Sequence, residues 1–147
     1  MTPKPDSLSA DRARELLKAV GMRSTASRIA VLQWVAKSDS PVAHSDVASA
    51  LVPDGYDKST VYRCLVEMAD ANLLHRLDFG DHVWRFEYIA AEQGESGDHA
   101  HFVCVDCGKV ACLPEMQIQM KPRPGEKSKM PGEVVDVMLR GHCTDCQ

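Results

Sequence analysis

Two cysteine pairs of identical spacing, Cys104-x-x-Cys107 and Cys143-x-x-Cys146, constrain this chain more than any other feature. A C-x-x-C turn aims two thiolates at one tetrahedral ion, and two such turns complete a four-sulfur zinc site. One ion held by all four would close the thirty-five residues between Cys107 and Cys143 into a loop. Disulfides, free thiols or a redox pair would use the same cysteines. The N-terminus carries no secretory signal pattern, so the chain is expected in a reducing cytoplasm, where disulfides are disfavoured. A redox C-x-x-C wants a strand-to-helix setting, whereas Gly108-Lys-Val-Ala-Cys-Leu113 reads as another short strand. A structural zinc on Cys104, Cys107, Cys143 and Cys146 is the expectation.

The first pair sits in a denser run, His99-Ala-His101-Phe-Val-Cys104-Val-Asp-Cys107-Gly108. On an extended segment residues i and i+2 share a face, so His99 and His101 can address a second ion. With 147 residues the chain holds one domain or two small ones, each near the size at which a metal cross-link matters. No apolar run approaches membrane-spanning length, so no membrane partner is expected. The net charge of −4 gives no bulk attraction to nucleic acid, and any such contact must come from a local basic cluster.

Hydrophobic periodicity divides the remainder. Ser9 is a candidate cap for a helix over Ala10–Val20 that Gly21 ends, and Thr25 for a second helix through about Lys37. Asp39-Ser40-Pro41 is a turn, a short third helix covers Val42–Leu51, and a fourth covers Lys58–Asn72 with Asp57 or Ser59 near its cap. In the fourth, Val61, Cys64, Leu65, Met68 and Ala69 share one arc, while Ser59, Thr60, Arg63 and Glu67 take the opposite arc with Tyr62 at its edge. Leu74–Leu77 and Val83–Tyr88 read as a hairpin around Asp78-Phe79-Gly80-Asp81. Short helices followed by a hairpin describe a winged helix, whose last helix enters the DNA major groove. The polar stretch 90–98 reads as a linker, placing a DNA-binding domain at 1–89 and a metal-binding domain at 99–147. In the latter, strands are expected at Phe102–Val105 and Lys109–Leu113, with further strand alternation in Met116, Ile118 and Met120 and in Val135, Val137 and Leu139. The proline- and glycine-bearing residues 121–132 should not form a helix interior.

Four stretches carry a resemblance to the ferric uptake regulator family: Arg23-Ser-Thr-Ala-Ser-Arg28, Ser59-Thr-Val-Tyr-Arg63, His99-x-His-Phe-Val-Cys-x-x-Cys-Gly108 and Cys143-x-x-Cys146. The resemblance implies an α+β chain, with an N-terminal winged helix-turn-helix and a small C-terminal zinc-stapled dimerisation domain, acting as a metal-dependent repressor. It implies DNA contacts from Arg23, Arg28, Ser59, Thr60, Tyr62 and Arg63, and a structural zinc on the four cysteines. Arginine suits guanine edges and narrow A·T-rich minor grooves, and tyrosine can pack on a thymine methyl. A regulatory site is implied at His75, Glu87, His99 and His101, with Cys112 where relatives often place a carboxylate ligand. The implied partners are a homodimeric copy and a palindromic, A/T-rich double-stranded operator.

Three features depart from the family pattern. Pro41 stands where many relatives have a histidine ligand, with His44 three residues away. Gln119 and Val135 stand where a further family site needs a carboxylate and a histidine, so that site is expected to be absent. Residues 121–132 replace a helix the family usually places between the two cysteine pairs. Imidazoles with a thiolate favour zinc as the regulatory ion, with Fe2+ or Mn2+, and a ferrous or peroxide sensor, as the alternative. An enzyme is disfavoured: a zinc deaminase needs H-x-E and P-C-x-x-C, and neither occurs at these histidines and cysteines. A bare zinc-ribbon interaction module would leave the Tyr62-Arg63 helix and its wing without a purpose.

Overall fold

The computed structural model describes residues 8–89, 100–113, 116, 118–134 and 136–147. The chain divides into two compact units, Met1–Ala90 and Ala91–Gln147. The linker expected at 90–98, His99 and Val135 lie outside the described residues.

The first unit runs α1 (Ala10–Ala19), α2 (Ala26–Lys37), β1 (Val42–Ala43), α3 (His44–Leu51), a single 3-10 turn (Val52–Asp54), α4 (Lys58–Asp70), β2 (Leu74–Asp78) and β3 (Trp84–Tyr88). Each long helix starts at a side-chain cap. Ser9 accepts the Arg12 N–H, Thr25 accepts the Arg28 N–H, and Asp57 accepts those of Ser59 and Thr60. At the far end of α4, Asn72 turns left-handed at φ +61° and the Leu73 N–H reaches the Met68 carbonyl at 2.9 Å. That closure ends the helix at Asp70 rather than at the expected Asn72.

The third helix begins two residues later than the periodicity suggests. Val42 and Ala43 pair antiparallel with Phe86 and Arg85 as an added edge of the wing, so the sheet order is β1-β3-β2. Pro41 biases what precedes it toward extended backbone, and the Asp46 carboxylate accepts the Ala43 N–H at 2.9 Å, which fixes where the helix begins. Leu16, Leu17, Ile29, Val31, Leu32, Val35, Val47, Leu51, Val61, Leu65, Met68 and Phe86 form the core. Val31 is fully buried although it falls off the Ile29–Leu32–Val35 stripe. α2 touches α1, α3, α4 and β3, so more than one of its faces is covered.

The second unit is a sheet of order β5-β4-β6, built from β4 (Ala100–Cys104), β5 (Val110–Leu113) and β6 (Val137–Gly141). β5 pairs antiparallel with β4, as a tight knuckle permits, whereas β6 returns parallel to β4. Of the strand expected around Met116, Ile118 and Met120, the described residues lie in no strand. β4 already carries a neighbour on each side, and these three side chains are exposed at 62, 41 and 74%. Alternating side chains that do not lay one face against a core have nothing to fix them in a strand register. Among the described residues, 119–134 form no helix or strand. The buried apolar side chains described in this unit are Ala100, Val103 and Cys104, too small a core for independent stability without a further cross-link.

Candidate metal centres and nucleic-acid interface

The parallel pairing of β6 with β4 is what brings the two cysteine knuckles together. The Val105 N–H donates to the Gly141 carbonyl at 2.9 Å, carrying the ladder one step past the strand ends. A Cβ at Gly141 would meet the Phe102 ring at 3.0 Å, so glycine permits this close approach. In the first knuckle the Gly108 N–H donates to the Cys104 carbonyl at 3.0 Å with Gly108 at φ +75°. In the second, the Cys146 N–H donates to the Cys143 carbonyl at 3.0 Å.

The four sulfurs of Cys104, Cys107, Cys143 and Cys146 all lie within 4.8 Å of one another, and Cys107 Sγ stands 3.8 Å from Cys143 Sγ. Zinc–thiolate bonds of about 2.3 Å in a tetrahedron put sulfurs about 3.8 Å apart, so the donor set fits that ion. None of the six cysteines is in a disulfide. The Cys107 and Cys143 backbone N–H groups hold the Cys104 thiol down at about 6. Cys146 is pushed up to about 12, first by the Cys143 thiol and then by that of Cys107. One sulfur thus ionises readily while a neighbour keeps its proton, and a divalent cation is the natural replacement for such shared protons. Two polar pairs flank the cluster, His142 Nδ1 with Asp106 at 2.5 Å and Lys109 Nζ with Asp145 at 3.4 Å. Both join the same two knuckles, in partnerships that the sequence did not disclose.

The expected regulatory donors occur in each unit as cross-strand neighbours. In the wing His75 pairs opposite Glu87, and in the second sheet His101 pairs opposite Cys112. His75 Nδ1 is buried and has no hydrogen-bond partner among the described residues, and His101 is 1% exposed. A buried imidazole nitrogen without a partner is costly unless a ligand or proton donor meets it. Gln119 is exposed, and Val135 lies outside the described residues.

On α4 the periodicity arc is realised as expected in its buried half. Val61, Cys64, Leu65 and Met68 are buried, while Ser59, Tyr62 and Arg63 are exposed and Thr60 is half-buried. Arg23, Thr25, Ser27, Arg28, Thr60 and Arg63 converge on one open depression of about 360 Å³ between the start of α2 and the outer side of α4. Arg28 is engaged within the fold: its guanidinium donates to the Arg23 carbonyl and to Glu67, both at 2.9 Å. It braces α2 against α4 beneath the exposed Arg23 and Arg63. Sequence reading also passed over a contact of His44, whose Nε2 lies 3.0 Å from the Lys58 carbonyl and whose ring meets that of Tyr62 edge-on at 5.2 Å.

A winged helix with a polar, basic recognition face and a small sheet bearing a four-thiolate centre defines a class of metal-binding DNA regulators. A sequence profile of the ferric uptake regulator family matches residues 19–131. A peroxide operon regulator of Bacillus subtilis is 32% identical over 100 residues, covering 67% of this chain and 65% of that relative, so the chain spans just under two thirds of its length. A ferric uptake regulation protein of Haemophilus influenzae is 29% identical over 135 residues, 89% of each chain. The solved ferric uptake regulator of Helicobacter pylori shares the fold, with a TM-score of 0.67 at 20% identity over 99% of this chain and 97% of that one. The chain belongs to the ferric uptake regulator family, whose members are metal-responsive transcriptional regulators rather than enzymes.

Proposed function

We propose that this protein is a zinc-responsive transcriptional repressor that binds a palindromic, A/T-rich operator as a homodimer in the cytoplasm. Residues 1–89 would read DNA and residues 99–147 would bind metal and dimerise, with 90–98 as the hinge. Arg63 and Tyr62 read base edges in the major groove, Ser59 and Thr60 bind backbone phosphate, Arg23 enters the adjacent minor groove, and Arg28 supports them. Support for dimerisation through the second unit comes from its exposed apolar side chains, Val105, Met116, Ile118, Met120, Met130, Val134 and Leu139, which a partner surface would cover.

Cys104, Cys107, Cys143 and Cys146 hold the structural zinc. His75, Glu87, His99 and His101, with Cys112 as a further donor, hold the exchangeable ion. These ligands come from sequence on both sides of the hinge, so one ion would restrict the relation of the halves. The observation that carries zinc over iron is the pairing of Cys112 directly opposite His101, since a thiolate beside imidazoles favours zinc. A ferrous or peroxide sensor is the second reading, favoured by the likeness to a peroxide operon regulator and a ferric uptake regulation protein.

Adding Zn2+, anaerobic Fe2+ or Mn2+ to protein stripped of its exchangeable ion, and following affinity for a selected duplex, separates the two. Zinc is expected to restore tight binding at the lowest free concentration. Restoration by Fe2+ alone, with loss on peroxide treatment and oxidation of a ligand histidine, would establish the sensor.

A further inference from the structure

The first residue of α3 touches the exposed aromatic of α4, and no metal or core role accounts for that contact. His44 is half-buried at the start of α3, while Tyr62 is 45% exposed on the second turn of α4. A carbonyl can only accept, so the 3.0 Å contact to Lys58 O means that His44 Nε2 carries the proton and donates it. Lys58 is the first residue of α4, and this bond therefore ties the start of one helix to the start of the next. It also fixes the imidazole plane. The fixed ring then packs edge-on against Tyr62, with centroids 5.2 Å apart and planes at 68°. Edge-to-face contact is a favoured aromatic geometry, and it holds the phenol ring in one orientation beside His44.

We propose that His44 is a positioning residue that sets the orientation of Tyr62 for reading a thymine methyl in the operator. The inference rests on the proposal that Tyr62 faces DNA and adds a specificity device to it. A free tyrosine on an exposed helix face samples several rotamers, and docking must select one. His44 makes that selection before DNA arrives, so the ordering cost of binding falls. The effect belongs to the base position that Tyr62 reads, because the ring that His44 packs against is that of Tyr62. No phosphate contact changes, so the salt dependence of binding is set elsewhere.

The test uses the full-length, zinc-loaded protein and the tightest duplex that the wild type selects from a random-sequence pool, together with copies carrying deoxyuridine in place of each thymidine in turn. Wild type should lose affinity at one substituted position in each half-site. His44→Ala should bind the unsubstituted duplex about two- to tenfold more weakly and no longer sense the methyl at that position. Its salt slope should match the wild type, and it should stay folded at the assay temperature, its melting temperature lowered by no more than the lost bond to the Lys58 carbonyl accounts for. His44→Phe, which keeps an aromatic edge beside Tyr62, should retain most of the discrimination, and His44→Ala should add no further loss on a Tyr62→Ala background. Equal affinity and equal methyl sensitivity for His44→Ala and wild type, with Tyr62→Ala impaired, would overturn the positioning role alone. Full affinity in Tyr62→Ala would overturn both it and the reading beneath it.

Discussion

Single side chains in this protein divide into those whose partners are close in sequence and those whose partners are not. The cysteine pairs belong to the first group, because C-x-x-C spacing encodes a turn geometry that survives in any surrounding fold. Their consequence is energetic: structural zinc in small domains has an apparent binding free energy of about 10–16 kcal/mol, and the buried apolar residues described in the second unit are few. Cys104→Ser or Cys146→Ser should release the zinc and melt the second unit, seen as loss of one ion per chain in metal analysis and of its strand signal in circular dichroism. Retention of both would refute the four-thiolate assignment. Arg28 belongs to the second group. Its pairing with Glu67 spans 39 positions and depends on how α2 crosses α4, which no local pattern records. His44 is similar, since its contact with Tyr62 exists only because α3 and α4 start side by side. Arg23 and Arg63 carry the chemistry exposed beside them. Arg63→Ala should cost about 1–3 kcal/mol of operator affinity and relax preference at one base pair, while Arg23→Ala should mainly flatten the salt dependence. Binding isotherms at several salt concentrations distinguish the two effects.

Among the elements, helices were legible and edges were not. Ser9, Thr25 and Asp57 are caps that stand directly before periodic apolar runs, so sequence alone located the helix starts at Ala10, Ala26 and Lys58. Thr25→Ala should destabilise the first unit by about 0.5–2 kcal/mol in urea unfolding, because one donor of α2 loses its acceptor. Asp57 gives the same cap a pH dependence. The Ser59 hydroxyl, then the Thr60 N–H, hold its carboxyl below the ordinary 3.8. A carboxylate depressed on folding contributes stability that is present above its unfolded value and lost as pH falls through its lower folded value. Amide exchange at Ser59 and Thr60 should thus accelerate as pH drops below about 4 relative to the intrinsic rate, and Asp57→Ala should abolish that step. Strands failed where pairing is decided by distant chain. Val42–Ala43 joined the wing because β3 offered an edge, whereas Met116, Ile118 and Met120 are exposed and have no core face to hold them in a strand.

At the scale of the whole molecule, the proposed account gives the two units complementary halves of one function. The first holds the recognition helix and the His75–Glu87 pair, and the second holds the thiolate centre and the His101–Cys112 pair. This division was visible in the sequence as a change from helical periodicity to short alternating runs with cysteine knuckles. The burial of His75 Nδ1 without a partner was not, because it depends on the packing around the wing. In the proposed account the exchangeable ion links the halves, so it removes the cost of ordering two recognition helices about 34–36 Å apart on a palindrome. Coupling of about 1–3 kcal/mol is the usual scale for such linkage, and it obliges the operator to tighten metal binding by the same factor. The direct test is operator affinity of the wild type with and without the exchangeable metal, the structural zinc being kept throughout. The account predicts binding about 5- to 150-fold tighter with metal, a difference that His101→Ala abolishes while keeping its fold, its structural zinc and weak DNA binding. Equal affinity in the two states of the wild type would contradict it.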